Sequence, residues 1–156
     1  MQTRLFTQLP GLALAVLFTI LVGSVRADDS KLEGTWDVTL TFLATPGTGC
    51  VAMGPILTLN TFLKGGGMLF SGGRLTAGPG QGSWERIGHN HFVARFKFLL
   101  FNISDGSRTG SEELTKDIRL TDPDTFEATT TFDGFDASGT PVATGCIINE
   151  TATRFE

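Results

Sequence analysis

The chain has no tyrosine, two cysteines, two histidines and a charged fraction of only 18% over 156 residues. Each shortage closes off a class of protein. Cys50, Cys146, His89 and His91 are too few and too scattered for the four-ligand set of a structural zinc site, and His89 and His91 have no third ligand near them in sequence. No metal centre is expected. A Ser-His-Asp triad or a Gly-x-Ser-x-Gly elbow needs a nucleophile placed beside a histidine, and no such arrangement occurs, so no catalytic residue is assigned. Gly65-Gly66-Gly67 and Gly78-Pro79-Gly80 precede strand-like sequence instead of helices, so they read as turns and not as phosphate cradles. No Lys/Arg cluster is present and the formal net charge is −4, a balance that repels nucleic acid and anionic membranes. No cofactor is implied.

Long apolar runs are confined to the beginning. Arg4, the apolar stretch Leu9 to Val22 and the small residues of Val25-Arg26-Ala27 make the three parts of a secretory signal. That core is shorter than the ~20 residues needed to span a bilayer, and nothing later is long enough, so no transmembrane segment is expected in the mature chain. Cleavage after Ala27 would leave residues 28–156 as one domain, secreted or periplasmic, with a net charge of −6 once Arg4 and Arg26 are gone. In an exported chain an even cysteine count favours a Cys50–Cys146 disulfide; two free thiols or a bridge between copies are the alternatives. Asn102-Ile103-Ser104 and Asn149-Glu150-Thr151 match the N-glycosylation pattern, which matters only in a eukaryotic host.

What the mature part does contain is phenylalanine and alternation. All but Phe6 and Phe18 of the 13 Phe lie there, with both Trp, a greasy aromatic content suited to an interior. Trp36, Val38, Leu40 and Phe42 alternate with Thr35, Asp37, Thr39 and Thr41, a period of two that gives the first strand a dry and a wet side. The pattern repeats from 91 to 101, where Phe92, Ala94, Phe96, Phe98 and Leu100 share one face and Arg95 and Lys97 the other. Eight strands are expected at about 33–43, 55–63, 68–75, 81–87, 91–101, 111–121, 125–133 and 140–155, with no helix. Gly72-Gly73 reads as a bulge or bend within the third. The three shortest links, 64–67, 88–90 and 122–124, alternate with the longer ones. In an up-and-down meander they share one end, so the fold expected is an eight-stranded antiparallel barrel with one closed end and one mouth.

Gly34-Thr35-Trp36 at the start of the first strand, with Arg154 near the end of the last, resembles the lipocalins and the wider calycin group. Thr121-Asp122 falls where lipocalins carry a Thr-Asp-aromatic motif, with Pro123 in place of the aromatic ring. The resemblance implies that Trp36 sits at the closed base with Arg154 packed across it, as structural residues, and that the mouth receives a small apolar molecule. Setting Trp36 opposite Arg154 puts Leu40 opposite Glu150, Phe42 opposite Ile148 and Ala44 opposite Cys146, which brings Cys50 and Cys146 within reach of each other.

The same parity turns Lys116 and Glu150 inward. Buried charge is costly unless paired, so the two are expected to form a polar anchor for a ligand's head group among Phe42, Phe96, Phe98, Phe126 and Phe132; a one-residue slip would instead turn both to water. Three functions follow from these residues. The first is a non-enzymatic binder of a small apolar molecule. The second is a cyclase or isomerase resembling the allene oxide cyclases, with Glu150 as its inward acid. The third is a structural or interaction barrel filled by its own Phe side chains.

Overall fold

The computed structural model describes residues 31–156; the expected signal segment lies outside the described residues. Eight strands follow one another: β1 (Gly34–Phe42), β2 (Met53–Phe62), β3 (Gly67–Gly72), β4 (Gly80–Gly88), β5 (His91–Phe101), β6 (Arg108–Asp122), β7 (Thr125–Asp136) and β8 (Pro141–Arg154). Each pairs antiparallel with its neighbour, and β8 returns to β1, closing a barrel in sequential order. The closing register runs Trp36 opposite Arg154, Leu40 opposite Glu150 and Phe42 opposite Ile148, where the alternation of β1 sets it. It stops at Phe42, so Ala44 is not paired.

Inward-facing residues make one continuous core of Ala, Val, Leu, Ile, Met, Phe and Trp side chains, and most Thr and charged residues face out, the buried Thr58, Glu112, Lys116, Thr130 and Glu150 being exceptions. Most strand bounds shift by one to three residues, and the larger departures have physical reasons. The third strand ends at Gly72 and not Leu75: Gly72 and Gly73 have φ of +94° and +88°, left-handed values that put the expected bend at the end of the strand instead of within it. The sixth and seventh strands are longer than expected. Gly110, which reads as loop, lies within β6, where a Cβ would meet the Phe135 carbonyl oxygen at 2.2 Å; β6 and β7 pair there because the residue has no side chain. Pro55 is tolerated in β2 because the β1–β2 register shifts between Leu40 and Phe42.

The links 63–66, 89–90 and 123–124 gather at one end, and 43–52, 73–79, 102–107 and 137–140 at the other. At the first end Trp36, Phe62, Trp84, Phe92 and Phe126 fill the barrel, Trp36 with ring centroids 5.0 Å from Phe126 and Phe62 6.1 Å from Trp84. Both indole N–H groups donate to the turns beneath them: Trp36 Nε1 to the Leu32 carbonyl and Trp84 Nε1 to the Leu63 carbonyl, each at 3.0 Å. Arg154 lies over the Trp36 ring at 4.2 Å and donates to the carbonyls of Lys31, Glu33 and Pro123 and to the Asp124 carboxylate. Gly34 is the residue that lets it in, since a Cβ there would sit 2.9 Å from the guanidinium. This end is shut.

Candidate functional site

Ascending from that base, the first layer of polar groups inside the barrel lies at mid-height. Lys116 on β6 is fully buried and forms an ion pair with the equally buried Glu150 on β8. Thr130 on β7 donates its hydroxyl to the other carboxylate oxygen. With its amide oxygen turned to the ammonium, Asn60 on β2 accepts from Lys116 Nζ at 2.6 Å and donates to the Leu59 carbonyl at 3.3 Å. The Phe96 ring lies 5.6 Å from the same ammonium. Four strands thus supply a network in which each charge has partners, the condition for holding an ion pair in an apolar interior.

Above it, facing the mouth, the walls are aromatic. Phe70 stacks on both Phe96 and Phe98, with centroids 5.4 and 5.2 Å apart, and Phe42 stands opposite. Arg74, in the link after β3, reaches over this chamber. Its guanidinium donates to Glu112 of β6 at 2.7 Å and lies 5.7 Å from the centroids of both Phe42 and Phe98. The second Glu112 oxygen and the Thr58 hydroxyl are buried without a hydrogen-bond partner. Both line the chamber. With Arg74 in place the remaining cavity is about 10 Å³, room for about one water. Larger grooves, such as one of about 330 Å³ lined by Thr39, Thr41, Asn149 and Thr151, lie open on the outer wall.

The residues picked from the sequence divide accordingly. Phe42, Phe96, Phe98, Lys116 and Glu150 line the chamber. Phe126 belongs to the base, against Trp36 and Phe62, and Phe132 stands edge-on behind Phe42 at 5.9 Å; neither is among the lining residues. Sequence reasoning missed Asn60, Thr130, Glu112, Thr58 and Arg74. The first four share the inward parity of Phe62, Phe132, Leu114 and Phe62 on their own strands, so the signal was present; Arg74 shares the parity of Met68 and Phe70 in the expected strand 68–75, but the structure ends that strand at Gly72 and places Arg74 in the link.

Cys50 and Cys146 are bonded, with Cα atoms 5.4 Å apart, and tie the first mouth link to β8. The backbone bond from Thr144 to the Thr48 carbonyl supports the same tether. His91 pairs with Asp117 on the outer wall at 2.8 Å, and no group of three or more His, Cys, Asp or Glu suited to a metal occurs among the described residues.

Sequential antiparallel order, full closure and a plugged base define a calycin-type closed barrel. Compared with known proteins, the chain matches no protein-family model and none of the curated proteins.

Proposed function

We propose that the protein is a lipocalin-like, non-enzymatic barrel, exported after cleavage of residues 1–27, that takes a small molecule with an apolar body and a polar end through its mouth. The observation that carries this reading is the chamber itself: stacked Phe rings around two buried polar atoms, on Thr58 and Glu112, that have no partner. A barrel built only to be full has no use for unpaired polar atoms there, because each costs about 1–3 kcal/mol. The Lys116–Glu150 pair gives the chamber a polar floor, and the Trp36–Arg154 arrangement and the disulfide support kinship with secreted calycins.

A second reading, a self-filled structural barrel, is favoured by the 10 Å³ cavity, far below the several hundred Å³ of ordinary ligand pockets. In the binding reading Arg74 must leave before a ligand enters. An isomerase resembling the allene oxide cyclases would use Glu150 as its acid, but both of its oxygens are already engaged by Lys116 and Thr130, which supports binding over catalysis. Native mass spectrometry of protein purified from its own host tests the proposal. A co-purifying small molecule, or uptake of an environment-sensitive apolar dye competed by apolar compounds, is the expected result. An empty protein that also excludes the dye would leave the self-filled barrel.

A further inference from the structure

Arg74 stands where a ligand would stand, and it is held by the contacts that recognise an organic cation. A carboxylate pairs with the guanidinium from one side, at 2.7 Å from Glu112, while the Phe42 and Phe98 rings each lie 5.7 Å from its central carbon, within the range of a cation–π contact. The Glu112 side chain is 7% exposed and retains an oxygen with no donor. The site is therefore built to accept more positive hydrogen-bond donors than Arg74 supplies.

The means of vacating it are also present. Arg74 follows Gly72 and Gly73, both at positive φ, and its link returns to β4 through Gly78, Pro79 and Gly80. Its neighbour Leu75 is 91% exposed, so little packing holds the tip of the link. The other long mouth link is clamped by the Cys50–Cys146 bond. This one is fastened by backbone bonds from Ala77 to the Arg74 carbonyl, from Gly78 to Leu99 and from Phe101 to Thr76, which hold its backbone and leave the long Arg74 side chain as the part that can swing out.

We propose that Arg74 is an internal stand-in for the ligand, and that when its side chain swings out the Phe42–Phe98–Glu112 cage binds an organic cation, an alkylamine or alkylguanidine whose apolar part lies against the stacked Phe rings. This rests on the mouth-binding reading above and names the chemical class of its ligand. Lys116 does not serve the same end, because its charge is already matched by Glu150.

Removing the stand-in and offering its missing part back is the direct test. n-Propylguanidinium, which matches the whole arginine side chain and so restores the guanidinium that Arg74→Ala deletes, should bind the variant with a Kd at least about tenfold below that for the wild-type protein, raising its Tm at millimolar concentration. Pentanoate and 1-pentanol, matched in size, should bind at least about tenfold more weakly, and Arg74→Ala/Glu112→Gln should lose the discrimination. Equal binding of cation and alcohol would overturn the cation cage while leaving an apolar pocket standing. A folded variant that binds none of the three would overturn the cage and the mouth-binding reading together. If Arg74→Ala does not fold, the wild-type protein gives the answer: propylguanidinium should shift the Arg74 Nε–H resonance as it displaces the side chain, and an unmoved resonance up to the highest concentration overturns the proposal.

Discussion

The two ends of the barrel are finished by opposite means. At the base two tryptophans, an arginine and three phenylalanines seal the interior, and the turns there carry Lys64, His89 and Asp124 into water. At the mouth the links 43–52, 73–79, 102–107 and 137–140 contain Arg74 and Asp105 as their only charged residues, and Leu43, Val51, Leu75 and Ile103 on those links are exposed. The base spends its apolar residues on closure, whereas the mouth leaves them facing out and stops its opening with one charged side chain. Stability and adaptability are thus separated along the barrel axis. Mutations at the base should act on the whole fold, and those at the mouth on a link or on binding.

The largest effect expected is at the base. Trp36→Ala should cost about 3–5 kcal/mol, read as a lowered urea midpoint with an unchanged slope, because it removes a fully buried ring and the platform for Arg154. Between the two ends, Lys116→Met should cost about 3 kcal/mol by leaving Glu150 charged and unpaired, and Lys116→Met/Glu150→Gln should recover most of that loss. A double variant no more stable than the single one would mean that the network contributes through its shape and not through charge.

Opening the disulfide with Cys50→Ala/Cys146→Ala should cost about 2–4 kcal/mol, since it closes a loop of 96 residues. Hydrogen exchange should then rise in residues 43–52 and leave β1 and β7 near the base protected. Loss of protection at Trp36 would break the division between the ends.

The smallest effect is that of acid. The backbone N–H and hydroxyl of Ser107 hold the Asp105 carboxyl below its usual range, and the Ser138 hydroxyl with the Thr140 amide does the same for Asp136. A lowered folded pKa means that the stabilisation is complete above the unfolded value of about 4 and is lost as pH falls through the folded one. Amide signals of Ser107 and Ser138 should therefore broaden below about pH 4, before those of β5. Asp122 at the base, lowered by the Thr125 hydroxyl and the Asp124 amide, should behave similarly, so this acid response sharpens the comparison only if the mouth links exchange first.

Much of the architecture is written in period two. The alternation of β1 and β5 fixes which side chains face inward, and pairing Trp36 with Arg154 carries that parity to Lys116 and Glu150, which the fold brings together. Glycine was harder to read. Gly110 reads as a loop residue, yet it is needed inside a strand because a neighbouring backbone passes close; Gly72 and Gly73 read as a bulge or bend within a strand, and the bend they make ends it. The chamber's contents escaped for a different reason. Thr58, Asn60 and Glu112 are polar residues at inward positions, where alternation alone marks them as exceptions without saying what meets them. Arg74 falls within the expected strand 68–75, but the strand stops at Gly72, and its place over Phe42 and Phe98 depends on two backbone angles that no side-chain pattern encodes.

The clasp at the base has a kinetic consequence. Arg154 meets the Glu33 carbonyl across 121 residues of chain, so the seam can be sewn only after every other stave is in position. Until then β1 and β8 each present an unsatisfied edge, and at high concentration the β8 of one molecule can seal the wall of another. Refolding of this protein should therefore be slow and should yield strand-exchanged dimers as its characteristic error.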